Sequence, residues 1–297
     1  MEGLKFFVRN SYLSFLNFLD MIKFEHTIFA LPFAYMGMFM ASEGLPTFKQ
    51  FMLITIAFVT ARTYAMTLNR IIDLSFDRLN PRTKDRPLVT GKVKKKTAFI
   101  GLFLSLTVFS TTSYALGPLV FKLMPVAIFF LTIYHLTKRF TYLSHFVLGF
   151  TDGLAPLGAW VAIKNSVFSH SDTPGWLLLF IVTFWIAGFD ILYQSQDAEF
   201  DKKMGLHSIP ARFGIRTALN VSRFCHLLML FGLILLIQFL PYRLPFLISL
   251  FITVFLLIKE HRMIKPDDLS KLNVAFFNMN GYISVVIFFG IIFSILA

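Results

Sequence analysis

Long apolar segments separated by polar connections are the dominant pattern of this sequence. Nine segments have roughly the apolar length, about 17–25 residues, that a helix needs to cross a bilayer, and the eighth of them is short. They are residues 24–41, 48–70, 97–116, 119–137, 144–163, 175–194, 217–240, 244–259 and 274–296. Strands are excluded because an open sheet edge cannot lie in hydrocarbon. The pattern therefore predicts an all-α membrane protein with nine transmembrane helices, folded as a single domain over residues 1–297.

The lysines and arginines are distributed unevenly between the two ends of these segments. Of the 28, 22 lie in the N-terminal tail and in every second connection after it, while Arg62 and Arg70 lie inside the second segment. The remaining four, in the opposite connections, are Lys49, Lys122, Lys164 and Arg243. Basic connections stay in the cytoplasm. We therefore predict a multi-pass inner-membrane protein with a cytoplasmic N-terminus and an outside C-terminus.

The composition supports the membrane class and excludes several others. Hydrophobic residues make up 56% of the chain and charged residues 15%, against about 25% charged residues in soluble domains. The net charge of +12 would suggest nucleic acid in a soluble protein, but here it follows the topology, so we expect no nucleic-acid partner and no protein partner. The single cysteine, Cys225, excludes an intramolecular disulfide and a Cys-rich metal site. We also expect no removable signal peptide.

A first acidic cluster lies where the second apolar segment ends. Asn69, Asp73 and Asp77 recur at every fourth residue, so on a helix they share one face. Two carboxylates at this spacing repel each other, and the nearby lipid makes the repulsion more costly. A divalent cation removes the conflict, and Mg²⁺ prefers a few carboxylates completed by phosphate oxygens and waters. The cluster therefore predicts a magnesium site.

A second acidic cluster lies where the sixth segment ends, on the same side of the membrane. Asp190, Asp197 and Asp201 are seven and four residues apart, which places them on one helical face bordered by Tyr193 and Gln194. A solvated helix end is the alternative explanation for these acids. Because two acidic faces lie at one depth, we predict that two Mg²⁺ ions clamp one diphosphate at the cytoplasmic side.

Basic residues lie close to both acidic clusters. Arg82, Lys84 and Arg86 follow the first cluster, and Lys138 with Arg139 ends the fourth segment. Arginine suits bidentate phosphate contacts, and lysine supplies a point charge. We predict diphosphate contacts from Arg82, Lys84, Arg86 and Lys138, with ordinary topological anchoring as an equal explanation for the last.

The two clusters resemble the signatures of a known family. The first resembles the first signature of the UbiA superfamily of intramembrane prenyltransferases through Asn69-x3-Asp73-x3-Asp77 followed by Arg86-Pro87. The second resembles its second signature through Asp190-x2-Tyr193-x2-Gln196-Asp197-x3-Asp201. Nine spans with both motifs cytoplasmic also match, so the resemblance covers the whole chain. It implies a UbiA-like helical bundle around a central cavity that opens sideways to lipid.

The resemblance also implies an activity. It implies Mg²⁺-dependent transfer of a polyprenyl group from polyprenyl diphosphate to an aromatic acid, within the lipid bilayer. The match is closest to 4-hydroxybenzoate polyprenyltransferases of respiratory quinone synthesis, through stretches such as Asn80-Pro81-Arg82-Thr83. A naphthoate or futalosine-derived acceptor in menaquinone synthesis is the alternative. A membrane transporter is the competing class, since intramembrane acids also occur there.

Roles for individual residues follow from this resemblance. The metal ligands are expected to be Asn69, Asp73, Asp77, Asp197 and Asp201. Asp190 either binds metal or orients the acceptor. Tyr193 and Tyr134 are candidates to shield a carbocation with their ring faces. Anchoring at the membrane interface is the alternative for both and the preferred interpretation for Tyr134. Lys23 and His26, at the mouth of the first span, are candidates to hold the acceptor, and topological anchoring explains Lys23 equally well.

Overall fold

The computed structural model of the chain describes residues 13–272 and 278–297. Within these ranges, residues 13–21 are helical and are followed by twelve α-helices and three short 3-10 turns. The helices are α1 (Phe24–Ser42), α2 (Phe48–Ile72), α3 (Leu74–Leu79), α4 (Lys95–Leu116), α5 (Pro118–Thr137), α6 (Ser144–Lys164), α7 (Thr173–Gln194), α8 (Ala198–Lys203), α9 (Ile209–Phe213), α10 (Ile215–Leu236), α11 (Arg243–Met263) and α12 (Asn280–Leu296). The described part of the chain contains no strand, so the predicted all-α class is confirmed.

Each of the nine predicted spans corresponds to a long helix. Seven helices are long and apolar enough, by length and composition, to cross a membrane, and two shorter apolar helices are Ala30–Ser42, within α1, and Asn280–Leu296. The last span was predicted to begin at residue 274, which lies outside the described residues. The short helices α3, α8 and α9 belong to the two long polar connections, and α3 and α8 carry acidic residues of the two clusters.

Helix α6 packs closely against α7 and α1 because glycines face the contacts. A Cβ atom added at Gly149 would lie 2.2 Å from the Thr183 carbonyl oxygen, and one at Gly153 would lie 2.7 Å from that of Leu179. On the other side, a Cβ at Gly37 would lie 2.0 Å from the Pro156 carbonyl oxygen. Helices in lipid associate through such small residues, which let backbones approach. These contacts fix α7, and with it the second acidic cluster, relative to α6.

The largest buried cluster joins α1 and α7 to the last three long helices. Trp185 on α7 is fully buried at its centre, with its ring edge-to-face against Phe33 at 4.9 Å between centroids. Its indole nitrogen donates a hydrogen bond of 2.7 Å to Asn280 Oδ1 on α12. Burial of large aromatic side chains dominates core energetics. This packing fixes α7 against α1 and α12.

A cavity of about 1000 Å³ lies beside α7. Residues of α1, α2, α5, α6 and α7 line it, together with the connection that follows α3. Its lining is mostly apolar along the membrane-spanning helices, for example at Phe58 and Leu148, and strongly charged where the two acidic clusters end those helices. The predicted cavity inside a helical bundle is thus present.

Candidate active site

The first acidic cluster keeps its helical face even though the helix is interrupted there. Asp73 ends α2 with φ −93° and ψ 6°, and α3 begins at the next residue. The Asp73 amide donates to the Asn69 carbonyl oxygen at 2.9 Å, and the Asp77 amide donates to that of Asp73 at 2.8 Å. Because this four-residue spacing of hydrogen bonds continues, the three side chains still share one face and line the cavity.

Asn69 is held in one orientation by its neighbours. Its Nδ2 atom donates to Asp73 Oδ2 at 2.9 Å, and its Oδ1 atom accepts from Arg70 Nη1 at 2.8 Å. Arg70 is buried and also donates through Nε to the Met21 carbonyl oxygen at 3.0 Å, which ties it to the helical residues 13–21. The segment before the first span therefore helps to orient a side chain of the site.

The second acidic cluster is divided by a 3-10 turn. Helix α7 ends at Gln194, residues Ser195–Asp197 form the turn, and α8 follows. A 3-10 helix has 3.0 residues per turn against 3.6, so three residues rotate Asp197 by about 60° relative to a continuous α-helix. The expected single face from Asp190 to Asp201 is therefore not continuous. Asp197 and Asp201 lie beside the basic residues, whereas Asp190 contacts His145.

The loop after α3 joins the two clusters. Asn80 precedes Pro81, which disfavours helical backbone, and its φ of −86° and ψ of 121° are extended. Asn80 Nδ2 donates to Asp197 Oδ1 at 3.1 Å. Arg82 donates to the same carboxylate through Nε at 3.0 Å and Nη2 at 2.6 Å, and through Nη1 to the Tyr193 hydroxyl at 3.2 Å. Residues more than 110 positions apart thus meet in one site.

Three of the other four carboxylates of the clusters, all except Asp190, also pair with a lysine or arginine. Asp77 accepts from Arg86 Nη1 at 2.6 and 2.7 Å. Asp201 Oδ1 lies 2.8 Å from Lys138 Nζ, and Asp73 Oδ1 lies 3.3 Å from Arg139 Nη2. Each of the four carboxylates therefore has its own cation. Two of the cations come from the loop after α3, and two come from the end of α5.

The electrostatic environment shifts two of these groups outside the spans. Burial, followed by repulsion from Asp77, raises the pKa of the Asp73 carboxyl, although Arg139 opposes the shift. For Arg82, burial lowers the pKa, but its hydrogen bonds to Asp197 and the charge of that carboxylate outweigh burial and raise the pKa overall. The ionised form of Asp73 is thus disfavoured, and a further cation would stabilise it.

Asp190 makes a different contact from the other acids. His145 is buried, and its Nε2 atom accepts a hydrogen bond of 3.2 Å from the Ile209 amide. Its ring proton therefore lies on Nδ1, which donates to Asp190 Oδ2 at 2.7 Å. This contact fixes the Asp190 carboxylate at the wall of the cavity, away from the four ion pairs.

The side chains of the two clusters suit Mg²⁺ in their chemistry. Among the residues that the structure describes, no three His, Cys, Asp or Glu side chains gather closely enough to hold a metal by themselves. Mg²⁺ uses one or two carboxylates and takes its other ligands from phosphates and water. Carboxylates that pair across one cavity with phosphate-binding side chains meet that requirement, so the residues fit a magnesium diphosphate.

Several predicted site residues lie at the edge of the cavity or outside it. Lys84 is exposed and does not line the cavity. Lys23 lines its mouth and pairs with Asp20 at 2.6 Å. The side chain of His26 lies outside the described part of the structure. Tyr134 lines the cavity beside Asn69.

Two charged residues of the cavity were missed by sequence reasoning as site residues. Arg62 on α2 and Asp152 on α6 line the cavity within the membrane-spanning helices. Arg62 Nε is buried and makes no hydrogen bond within residues 13–272 and 278–297. An ionisable residue inside an apolar span is itself a signal of function. That signal was present in the sequence, whereas the contacts of Asn80 and His145 could not be inferred from it.

Comparisons with known proteins agree with this architecture. One structure, an apo UbiA homologue from Aeropyrum pernix K1, is 32% identical, with a TM-score of 0.82 over 92% of this chain and 98% of that one. A second, a UbiA homologue from Archaeoglobus fulgidus bound to DMAPP and Mg²⁺, is 17% identical, with a TM-score of 0.65 over 91% and 99% of the two chains. The second likeness shows the fold alone.

Sequence comparisons identify the family. A relative from Vesicomyosocius okutanii, named 4-hydroxybenzoate octaprenyltransferase, is 27% identical over 259 residues, which are 87% of this chain and 93% of the relative. The model of the UbiA prenyltransferase family matches residues 30–282, which include both acidic clusters, the loop between them and the cavity helices. The chain therefore belongs to the UbiA prenyltransferase family.

Proposed function

We propose that this prenyltransferase transfers a polyprenyl group from polyprenyl diphosphate to 4-hydroxybenzoate, with two Mg²⁺ ions. The observation that carries the proposal is the meeting of two acidic clusters and four basic side chains at the charged end of one apolar cavity. The cavity offers an apolar channel for an isoprenoid and a charged end for its diphosphate. The Vesicomyosocius okutanii relative supports the choice of acceptor by its name, and the Archaeoglobus fulgidus structure supports the use of Mg²⁺.

The basic side chains would bind the diphosphate. Arg82 and Arg86 present planar guanidinium groups that can contact phosphate oxygens in pairs, and Lys138 and Arg139 add charge from the opposite wall. When these side chains turn to the diphosphate, their carboxylate partners become available to metal. We assign the metal to the partners and to the neighbouring carboxamide, namely Asn69, Asp73, Asp77, Asp197 and Asp201. When bound, Mg²⁺ would neutralise charge that develops on the leaving diphosphate.

The bond changes follow from this arrangement. The bond between the first isoprenoid carbon and the diphosphate oxygen breaks, and the diphosphate leaves with the electron pair. The allylic carbocation forms a bond to the ring carbon ortho to the acceptor hydroxyl, and loss of the ring proton restores aromaticity. Tyr193, held by Arg82 at the charged end, presents a π face to the cation.

Arg62 is our choice for the acceptor carboxylate. Arg62 is half-buried, its buried Nε atom makes no hydrogen bond within the described residues, and the side chain lines the same cavity as Asp190. A buried guanidinium is stabilised by a carboxylate that it can bind in a bidentate way. Asp190, held by His145, then lies in the cavity to orient the acceptor hydroxyl. Lys23 at the mouth would guide the acid inwards.

A transfer assay tests the proposal. The protein in nanodiscs is mixed with labelled farnesyl diphosphate and 4-hydroxybenzoate, and the prenylated acid is counted with Mg²⁺ and with EDTA. We expect loss of product with EDTA and recovery when Mg²⁺ is returned. Asp77→Asn should lose activity, whereas Glu43→Gln, outside the cavity lining, should keep it. Product from a naphthoate acceptor in place of 4-hydroxybenzoate would overturn the choice of acceptor. Activity in EDTA would overturn the metal.

The charged end of the cavity is placed in the cytoplasm by this proposal, with the N-terminus inside and the C-terminus outside. The lysine and arginine distribution supports this orientation. Cys225 is buried, so an added surface cysteine can report the side. In intact cells, a membrane-impermeant thiol reagent should label Lys49→Cys and spare Lys203→Cys. The reverse pattern would refute the orientation.

A further inference from the structure

A second cavity lies away from the candidate active site, at the end of α11. Its volume is about 410 Å³. Four basic residues and one acid line it, together with three apolar residues. They are Lys259, Arg262, Lys265, Lys271, Asp268, Phe255, Ile258 and Met263. Because successive spans alternate in direction, this end of α11 lies on the same side of the membrane as the two acidic clusters.

The four basic side chains of this cavity are open to solvent in the described part of the chain. None of the ion pairs of residues 13–272 and 278–297 involves any of the four. The single lining carboxylate, Asp268, and the partial negative charge of a helix C-terminus, about half a charge, leave a clear excess of positive charge. Topology requires basic residues on this side of the membrane, but it does not require four of them around one cavity.

The apolar lining supplies the second half of a ligand's chemistry. Phe255 and Ile258 are 62% and 47% exposed and precede Arg262 by seven and four residues, so the three share one outward face of α11. The opposite face, at Leu257 and Glu260, is buried in the bundle. A helix face that is apolar towards the bilayer and basic at its end matches a lipid that has acyl chains and an anionic headgroup.

We propose that this cavity, formed at the end of α11 and by the turn after it, is a binding site for an anionic phospholipid. The phosphate lies among the four cations, and the acyl chains lie along Phe255 and Ile258. The turn is closed by paired backbone hydrogen bonds of 3.1 Å between Lys265 and Asp268, which holds Asp268 opposite Lys265, just after the helix end. Basic pockets on the cytoplasmic side are suited to such headgroups. The site is independent of prenyl transfer.

Native mass spectrometry of the detergent-purified protein with added cardiolipin or phosphatidylglycerol tests the proposal. Each cation near an anionic lipid is worth about 1 kcal/mol, or about fivefold in affinity. Lys259→Gln with Arg262→Gln should therefore weaken lipid binding about 25-fold, whereas Lys95→Gln with Lys96→Gln, which removes equal charge elsewhere, should change it less than about threefold. Ile258→Asn should weaken lipid binding but leave binding of inorganic diphosphate unchanged.

Two outcomes would overturn the lipid assignment. Equal weakening in both charge variants would mean general attraction between opposite charges and no site. Displacement of the lipid by inorganic diphosphate at equal concentration would mean a site for a soluble anion. Phosphatidylcholine serves as the lipid without net charge and should not be retained. A monodisperse elution profile and unchanged unfolding temperature show that the exposed variants are folded.

Discussion

The hydrogen-bonded ion pair between Arg82 and Asp197 should stabilise the ligand-free protein, and it should separate when the substrate binds. Asp197 accepts three hydrogen bonds, one from Asn80 and two from Arg82. The Asp197 side chain is 5% exposed, whereas that of Arg82 is 30% exposed. Substituting each partner alone and then both together separates the stabilising role from the catalytic one.

The expected magnitudes follow from these exposures. Breaking a fully buried ion pair costs about 3–5 kcal/mol because the remaining charge has no partner. In Asp197→Asn, the remaining guanidinium reaches solvent and the carboxamide still accepts, so we expect a loss of about 2 kcal/mol. In Arg82→Gln, a buried carboxylate is left without its main partner, and we expect about 3 kcal/mol. The double variant should lose less than the sum of these, with a coupling energy of about 1–2 kcal/mol.

Thermal unfolding in detergent and the transfer assay are measured on the same four proteins. The unfolding temperature should be highest for the wild type, lower for Asp197→Asn and lower again for Arg82→Gln. The double variant, with an expected loss of about 3–4 kcal/mol, should unfold at the temperature of Arg82→Gln or slightly below it. Transfer should fall at least about 100-fold in all three variants, which corresponds to about 2.7 kcal/mol. Restoring the match between charges should not restore activity, because under the proposed function the double variant lacks both a metal ligand and a diphosphate ligand.

Two results would refute this reasoning. Recovery of transfer in the double variant would show that the pair acts only as a structural lock. Additive losses of stability would show that the two side chains do not interact in solution. Glu43→Gln with Lys164→Gln serves as the matched control, since that pair links a different part of the fold.

Three further predictions concern other parts of the cavity. Arg62→Gln should raise the KM for 4-hydroxybenzoate at least about tenfold and leave the KM for the prenyl diphosphate unchanged. Equal increases in the two KM values, measured by steady-state kinetics, would contradict the acceptor role. Gly153→Val should destabilise the protein by about 1–3 kcal/mol or more, seen as a lower unfolding temperature, whereas Gly158→Ala, which meets no neighbour within 4 Å, should not. Since the pKa of Asp73 is raised, lowering the pH through that value should reduce Mg²⁺-dependent transfer. The same protonation should raise the unfolding temperature, and Asp73→Asn should abolish that rise.

The helices and the acidic face of the first cluster were predictable because both are local patterns. Apolar length predicted where the spans lie, and the four-residue spacing of Asn69, Asp73 and Asp77 survived the break at Asp73 because its hydrogen bonds continue. The face of the second cluster was only partly right. Nothing in the local sequence marks Ser195–Asp197 as a 3-10 turn, so the separation of Asp190 from Asp197 had to come from the structure.

The pairing of individual acids with individual cations could not be predicted. Arg82 and Asp197 are 115 residues apart, and no local pattern marks two residues so far apart as partners. The roles of Arg62 and Asp152 were accessible in principle, because a charge within an apolar span is costly without a function.

The one-to-one pairing of acids and bases has a consequence for how ligands enter. Mg²⁺ binding alone would have to separate a carboxylate from its basic partner and would leave that cation without a counterion. Diphosphate binding alone would leave the carboxylates without their cations. Only joint arrival satisfies both sets, so each ligand should tighten the other's binding by the same factor. Without its prenyl diphosphate, the enzyme would then bind little of the cell's free Mg²⁺, and it would bind soluble polyanions only weakly.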